Sequence, residues 1–420
     1  MADSTSTKRV IVLGAGASCS YTESPTGQQP PLANQIIPTY FNLDISENRY
    51  VLVGHIVNYV WKTKGIPPEN FHSWKDDIER FLTEIDQEII ALIPRLKEGN
   101  LYEKDFLKIN LFQGAYNQLI FLFASILNEI QNGPVSIPYA LLANELTSED
   151  TCITFNWDTL LDRALASTGK WSPINGYAIE PEAIFDDGWQ SAKGMKADLN
   201  GPLYLKLHGS TNWLTPFHFI DLSTGNNRTL SGYAIDKLFV YHKATTQYQT
   251  YENRYWGPYE PFSYCYYPPD LPCERDDTPK DYVNARFVCA PDLPDHAKYV
   301  IGEKSVFSMP LIVPPVRDKQ YLRYGRIFSE LWEKASDALW KCEELYVIGY
   351  SFPQTDSVAK NLFQESLKKN EALKKVVIWN PYPQDLEQLF VEDFGIDKTK
   401  IDVKAEKFDP LKKPALRILS

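Results

Sequence analysis

Short runs of apolar and β-branched residues recur along the chain, each ending in glycine or a small polar residue. Val10 to Leu13, "TCITFNW" (151–157), "LYLKLHGS" (203–210), "LYVIGYS" (345–351) and "KVVIWNP" (375–381) are too short for buried helices and read as strands. Between them the period lengthens. Ile78, Phe81, Leu82, Ile85, Ile89 and Leu92 recur at helical spacing, with Ser73 and Asp76 placed to cap the start and Pro94 at the end. Helices are also expected from about Asp105 to Gln131, from Tyr139 to Leu146, from about Gln320 to Lys341 (Ile327, Leu331, Ala335, Leu339 inward), and through "DSVAKNLFQESL" (356–367). Strands alternating with helices predict the α/β class: a Rossmann-like parallel sheet with helices on both faces.

Two stretches break the pattern. "SPTGQQPPLANQI" (24–36) is a proline- and glycine-rich loop. From about 216 to 300 tyrosine and proline crowd together without a lasting period, which suits either a contact surface or a self-packed irregular insertion. The chain therefore divides into a first core part (1–44), an inserted helical block (45–148), core strands expected to carry the chemistry (149–215), the aromatic-rich insertion (216–300) and the remaining core (301–420).

Composition narrows the partners. Of 420 residues, 44% are hydrophobic and 23% charged, as in ordinary folded globular chains. The net charge of −11, with no dense Lys/Arg run, argues against direct nucleic-acid binding. The longest apolar run, "LIFLFASIL" (119–127), is about half of what a membrane span needs, and the first apolar segment contains a glycine turn rather than a signal-peptide core. A cytoplasmic location is expected. The six cysteines (19, 152, 265, 273, 289 and 342) include no CxxC pair, so no metal site is expected, and buried reduced thiols are the simpler reading.

In open parallel sheets, ligands collect at the carboxyl ends of the strands. Here those ends carry Gly14-Ala15-Gly16-Ala17-Ser18, Asn156-Trp157-Asp158, His208-Gly209-Ser210, Gly349-Tyr350-Ser351 and Asn380. The glycine turn is half of a dinucleotide fingerprint, because Cys19 stands where the third glycine belongs and no acidic residue ends an obvious second strand. Each feature has a plain structural alternative: a tight turn, an Asn156 helix cap, a satisfied turn histidine, an ordinary strand-to-helix loop. The convergence of all five on one sheet edge is what favours a site.

"VLGAGAS", "TFNWD" and "KLHGS", in this order and around a helical insertion, resemble signatures of sirtuin-like proteins, and "IGYSFPQTD" and "IWNP" resemble the adenosine-side segments of that fold. "PPLANQI", "DDIERFL" and "GYSFPQTD" look most like sirtuin-like NAD hydrolases of bacterial antiphage defence, in particular the stand-alone subunit that partners a HerA-type ATPase. The Gly-Ile-Pro-Asp-Phe-Arg segment and four-cysteine zinc ribbon of protein-deacylating sirtuins are not in this sequence. The resemblance implies NAD as substrate, water as acceptor, a homo-oligomer and that ATPase as partner. Backbone donors of Gly14, Ala15, Gly16 and Ser18 are then expected at the pyrophosphate, with Gly209 also binding NAD and Gly349, Ser351 and Asn380 toward adenosine.

Nicotinamide is already a cationic leaving group, so the reaction needs a firm grip on the dinucleotide, a polar group near C1′ and a base, rather than a strong acid. Asn156 offers both a donor and an acceptor for water and a ribose hydroxyl; Asp158 either reads the nicotinamide amide or fixes Asn156; His208 takes a proton from water or from a ribose hydroxyl. The rival readings are an ADP-ribosyl cyclase or transferase using the same residues, an NAD or ADP-ribose sensor without turnover, and an NAD-dependent dehydrogenase, which Cys19 disfavours.

Overall fold

The structure is a computed structural model that describes residues 7–43, 54–131, 133–242, 298–314, 326–353, 356–410 and 418–419, with short breaks at 75, 77, 99–102, 186–188, 198–199, 217, 222–225, 230–233, 235 and 302–303. Most of the 216–300 insertion, Cys265, Cys273, Cys289 and the expected helix start at 320 lie outside the described residues. The strands are β1 (Arg9–Leu13), β2 (Thr151–Thr154), β3 (Ala183–Phe185), β4 (Trp189–Ser191), β5 (Leu203–Lys206), β6 (Gly209–Pro216), β7 (His218–Asp221), β8 (Asn226–Thr229), β9 (Phe239–Tyr241), β10 (Lys298–Ile301), β11 (Lys304–Ile312), β12 (Glu344–Ile348), β13 (Lys375–Trp379) and β14 (Ile401–Lys404). The helices are α1 (Ala15–Ser18), α2 (Ile36–Asn42), α3 (Gly54–Lys64), α4 (Ile78–Lys97), α5 (Glu103–Gln131), α6 (Ile137–Glu145), α7 (Leu160–Ser167), α8 (Pro173–Gly176), α9 (Arg326–Lys341), α10 (Ser357–Lys368) and α11 (Gln384–Glu392).

The Rossmann-like sheet is present, in the order β14-β13-β12-β1-β2-β5 with every pair parallel. Consecutive central residues such as Ile11 and Val12 are both fully buried, which requires helices on both faces. Strand β14 was not legible: its Ile401–Lys404 stretch mixes apolar and charged residues, because an edge strand keeps one margin in water. Two helix-end expectations are corrected. Ser73 does not cap a helix but closes a 3-10 turn (Pro68–Ser73), its hydroxyl donating to the Asn70 carbonyl. Helix α4 begins at Ile78 and continues through Pro94 to Lys97, although Pro94 has no amide hydrogen to give the carbonyl one turn back.

The segment 203–210 is not one strand. After β5 the chain turns at Gly209 (φ +78°) and enters a second, mixed sheet of order β10-β11-β6-β9-β3-β4. A Cβ at Gly209 would lie 2.0 Å from the Leu311 carbonyl oxygen, so this crossing needs glycine. The second sheet is a partition. Trp213, Val240 and Leu311 join the main core, while Leu214, Phe239 and Ile312 pack with Ile85, Phe112 and Phe123 of the helical block. Strand alternation supplies the two faces, and a register shift between Pro310 and Ile312 puts Met309 on the helical side as well. The helical block is thus a second core docked on its own sheet, not only a layer on the first.

At the seam between the cores lies a fully buried cation. The ammonium of Lys206 donates to Asp162 Oδ2 (2.9 Å) and to the Asp158 carbonyl (2.6 Å). Tyr177 donates to the other Asp162 oxygen, Asn212 donates to Tyr177 (3.1 Å), and Ser210 donates to Asn212 Oδ1 (2.6 Å). Among the described residues no helix is long and apolar enough to cross a membrane. Neutralising one partner of a buried pair strands the other charge, which costs about 3–5 kcal/mol. Asp162→Asn should therefore lower unfolding free energy by about that much in urea titration; an unchanged midpoint would show that Lys206 is satisfied without Asp162.

Candidate active site

The carboxyl ends of β1, β2, β5 and β12 border one cavity of about 440 Å³, roofed by the 30–36 loop and by α4 and α5 of the helical block. Of the residues expected at the site, Ala15, Gly16, Ser18, Asn156, Asp158, His208, Gly349 and Ser351 line it. Gly14, Gly209 and Asn380 do not. Asn380 closes its own turn by accepting from the Tyr382 amide (2.9 Å), and Gly209 serves the sheet crossing.

The glycine turn is built for contact between loops. A Cβ on Gly14 or Gly16 would meet the Gly349 carbonyl oxygen at 2.4 and 2.9 Å, and one on Gly349 (φ +63°) would meet the Ala17 nitrogen at 2.2 Å. The Gly14 and Gly16 amides donate to the Ile348 and Gly349 carbonyls, both at 3.0 Å. The expectation that these two amides face a pyrophosphate is therefore corrected. Among the described residues the Ala15 amide, first in its helix, has no acceptor.

Ser18 is the hub beneath this turn. Its hydroxyl donates to Asp158 Oδ2 (2.7 Å) and accepts from Asn156 Nδ2 (2.9 Å), while Tyr139 Oη lies at 3.0 Å. Since the one serine hydrogen goes to Asp158, Tyr139 is the donor in the third contact. Asn156 Nδ2 also donates to the Gly14 carbonyl (2.8 Å). Both amide hydrogens are thus engaged by the fold, and Asn156 offers a ligand its oxygen only, contrary to the expected donor-and-acceptor role. Asp158 accepts from Ser18 and, through Oδ1, from the Leu160 amide (3.1 Å). Burial raises its pKa above the ordinary carboxylate value, against the opposing pull of Lys206. Burial also lifts the thiol of Cys19, helped by the nearby Asp158 charge.

The turn from Asn156 to Thr159 is held from three sides. Thr211 donates its amide (2.8 Å) to the Trp157 carbonyl; Lys206 takes the Asp158 carbonyl; Gln131, at the end of α5, accepts from the Thr159 amide (2.7 Å). Trp157 lies parallel to Phe123 of α5, centroids 5.5 Å apart, forming a flat apolar wall with Ile126 and Leu127. Opposite, Phe155 stacks on Tyr350 (4.3 Å) and meets His208 edge-on (5.1 Å).

His208 is buried, and its Nε2 lies 3.4 Å from Asp356 Oδ2. Asp356 was missed because an aspartate before "SVAKNLF" reads as a helix N-cap. So were Glu79 and Phe123, which reach the cavity from the helical block through tertiary packing alone. The loop carrying Asp356 is pinned by Phe352, which adopts φ +50° directly before Pro353, where extended backbone is the rule. Its ring is gripped by Tyr350, Phe363, Phe390 and Phe394 at 4.6–5.8 Å. The described lining holds three carboxylates (Glu79, Asp158, Asp356) and neither lysine nor arginine.

No protein-family model matches the chain, and no curated protein matches it. Gly349→Ala combines a clash with an unfavourable φ and should cost about 1–3 kcal/mol in chemical denaturation; full retention of stability would mean the two loops are not interlocked. Asp158 has a raised folded-state pKa, so the folded form holds its proton more tightly than the unfolded chain does. Wild-type stability relative to Asp158→Asn should then rise as pH falls from neutral through that raised pKa toward about 3.9. A pH-independent difference between the two would contradict this assignment.

Proposed function

We propose that this cavity cleaves NAD at the nicotinamide–ribose bond and passes ADP-ribose to water. The observation that carries the reading is the meeting of Asn156, Asp158 and His208, from two different strand ends, on one cavity beside the glycine turn. A volume of about 440 Å³ lies within the range of small-molecule sites. Leaving-group departure builds positive charge on the ribose ring, and Glu79, Asp158 and the Asn156 oxygen on the lining supply the opposite sign. The Phe123–Trp157 wall suits a planar base.

In this reading the Ala15 amide faces the pyrophosphate, and Ser351 the adenosine half. Asn156 Oδ1 accepts from the attacking water or a ribose hydroxyl. Asp158 fixes the Ser18–Asn156 pair, the second of the two roles open to it, because both its oxygens already serve the fold. Water loses a proton to His208, its lone pair forms the new C1′–O bond, and the C–N pair leaves with nicotinamide. One proton is released to solvent per turnover. Motif resemblance alone supports the wider setting: NAD depletion in antiphage defence, in a homo-oligomer, with a HerA-type ATPase as partner.

Purified chain incubated with NAD should release nicotinamide and ADP-ribose in equal amounts, resolved by chromatography. His208→Ala should reduce the rate by roughly 10²–10⁴-fold with the fold retained, and Asn156→Ala should act in the same direction. Cyclic ADP-ribose or a transferred ADP-ribosyl group would reassign the acceptor. Tight NAD binding without turnover, unchanged in both variants and in the presence of candidate partners, would replace the hydrolase with a sensor.

A further inference from the structure

The carboxylate beside His208 has forgone the role its position offers. Asp356 sits at the N-cap of α10, and its carbonyl accepts from the Lys360 amide (3.1 Å) as an N-cap's should. Its side chain makes no capping bond to the helix. Instead Oδ2 turns back, accepts from Tyr350 Oη (2.7 Å) and lies 3.4 Å from His208 Nε2, with the whole residue 1% exposed.

The arrangement is held from outside the pair. Tyr350 is fixed by its parallel stack on Phe155, and Phe155 by its edge contact with the imidazole. The Asp356 amide donates to the Pro353 carbonyl (2.9 Å), in the loop that Phe352 anchors at an unfavourable φ. The strained backbone at Phe352 is held by four aromatic contacts to its ring.

We infer that Asp356 is the positioning residue of His208: its carboxylate, braced by Tyr350, fixes the imidazole ring and its tautomer and stabilises the imidazolium formed when His208 takes a proton. The inference rests on the hydrolase reading for the reaction served, and on the geometry alone for the pairing. Asp356 acts through His208 and takes no part in the transfer itself, in which the water O–H breaks and the imidazole N–H forms.

A double-mutant cycle tests it, using the full-length chain and NAD. Asp356→Asn, an isosteric change, should lower kcat by roughly 10²-fold with KM within about twofold, because it acts on the base and not on binding. In a His208→Ala background the same change should cost less than about twofold, since a residue acting through His208 has nothing left to act on. Equal losses in both backgrounds, or near-full activity of Asp356→Asn, would overturn the assignment. ¹⁵N-histidine spectra give a readout independent of turnover: the ring signals that vanish in His208→Ala should shift in Asp356→Asn and in Tyr350→Phe. Shifted signals in a chain that does not cleave NAD would fell the hydrolase reading and uphold the pairing; unmoved signals would refute the pairing whatever the activity.

Discussion

A buried ammonium must be answered by acceptors, and the seam of this protein is organised around answering one. Lys206 is fully enclosed between the parallel sheet and the mixed sheet, where an unmatched charge would be prohibitive. Its two acceptors do different things. Asp162 ties it to α7 and, through Tyr177 and Asn212, to β6; the Asp158 carbonyl ties it to the turn that carries Asn156. A single electrostatic demand thereby fixes the crossing between the sheets and the backbone on which the candidate site is built.

The same seam explains why the cavity has two unlike halves. The polar floor comes from strand ends of the parallel sheet, where small polar residues follow directly on buried runs. The apolar roof comes from the helical block, docked on the far face of the mixed sheet and connected to the floor through Gln131 and the Phe123–Trp157 stack. Apart from Glu79 of α4, shape and chemistry are supplied by separate cores.

Legibility in the sequence follows from how local each cause is. The parallel sheet could be read because β1, β2, β12 and β13 are continuous apolar runs, and Asn156, Asp158 and His208 because polar residues at the ends of such runs have few other places to point. The mixed sheet could not be read: β3, β4 and β9 are three residues each, and β9 pairs with β3 and β6 across long separations. The glycines were visible but their cause was not. Gly14, Gly16 and Gly349 look like room for phosphate, yet they are required by two backbones in contact. Asp356 carried the signal of a helix cap and is used otherwise.

Asn156 shows what such packing implies over the life of the molecule. Its amide nitrogen holds the Gly14 carbonyl and the Ser18 hydroxyl, while its oxygen is left for the cavity. No carboxylate can stand in for that pattern. Hydrolysis of this one amide to aspartate, the ordinary chemical ageing of asparagine, would set a negative oxygen against two acceptors and loosen the turn from within. A single atom exchange, invisible to the overall fold, would be enough to retire the site.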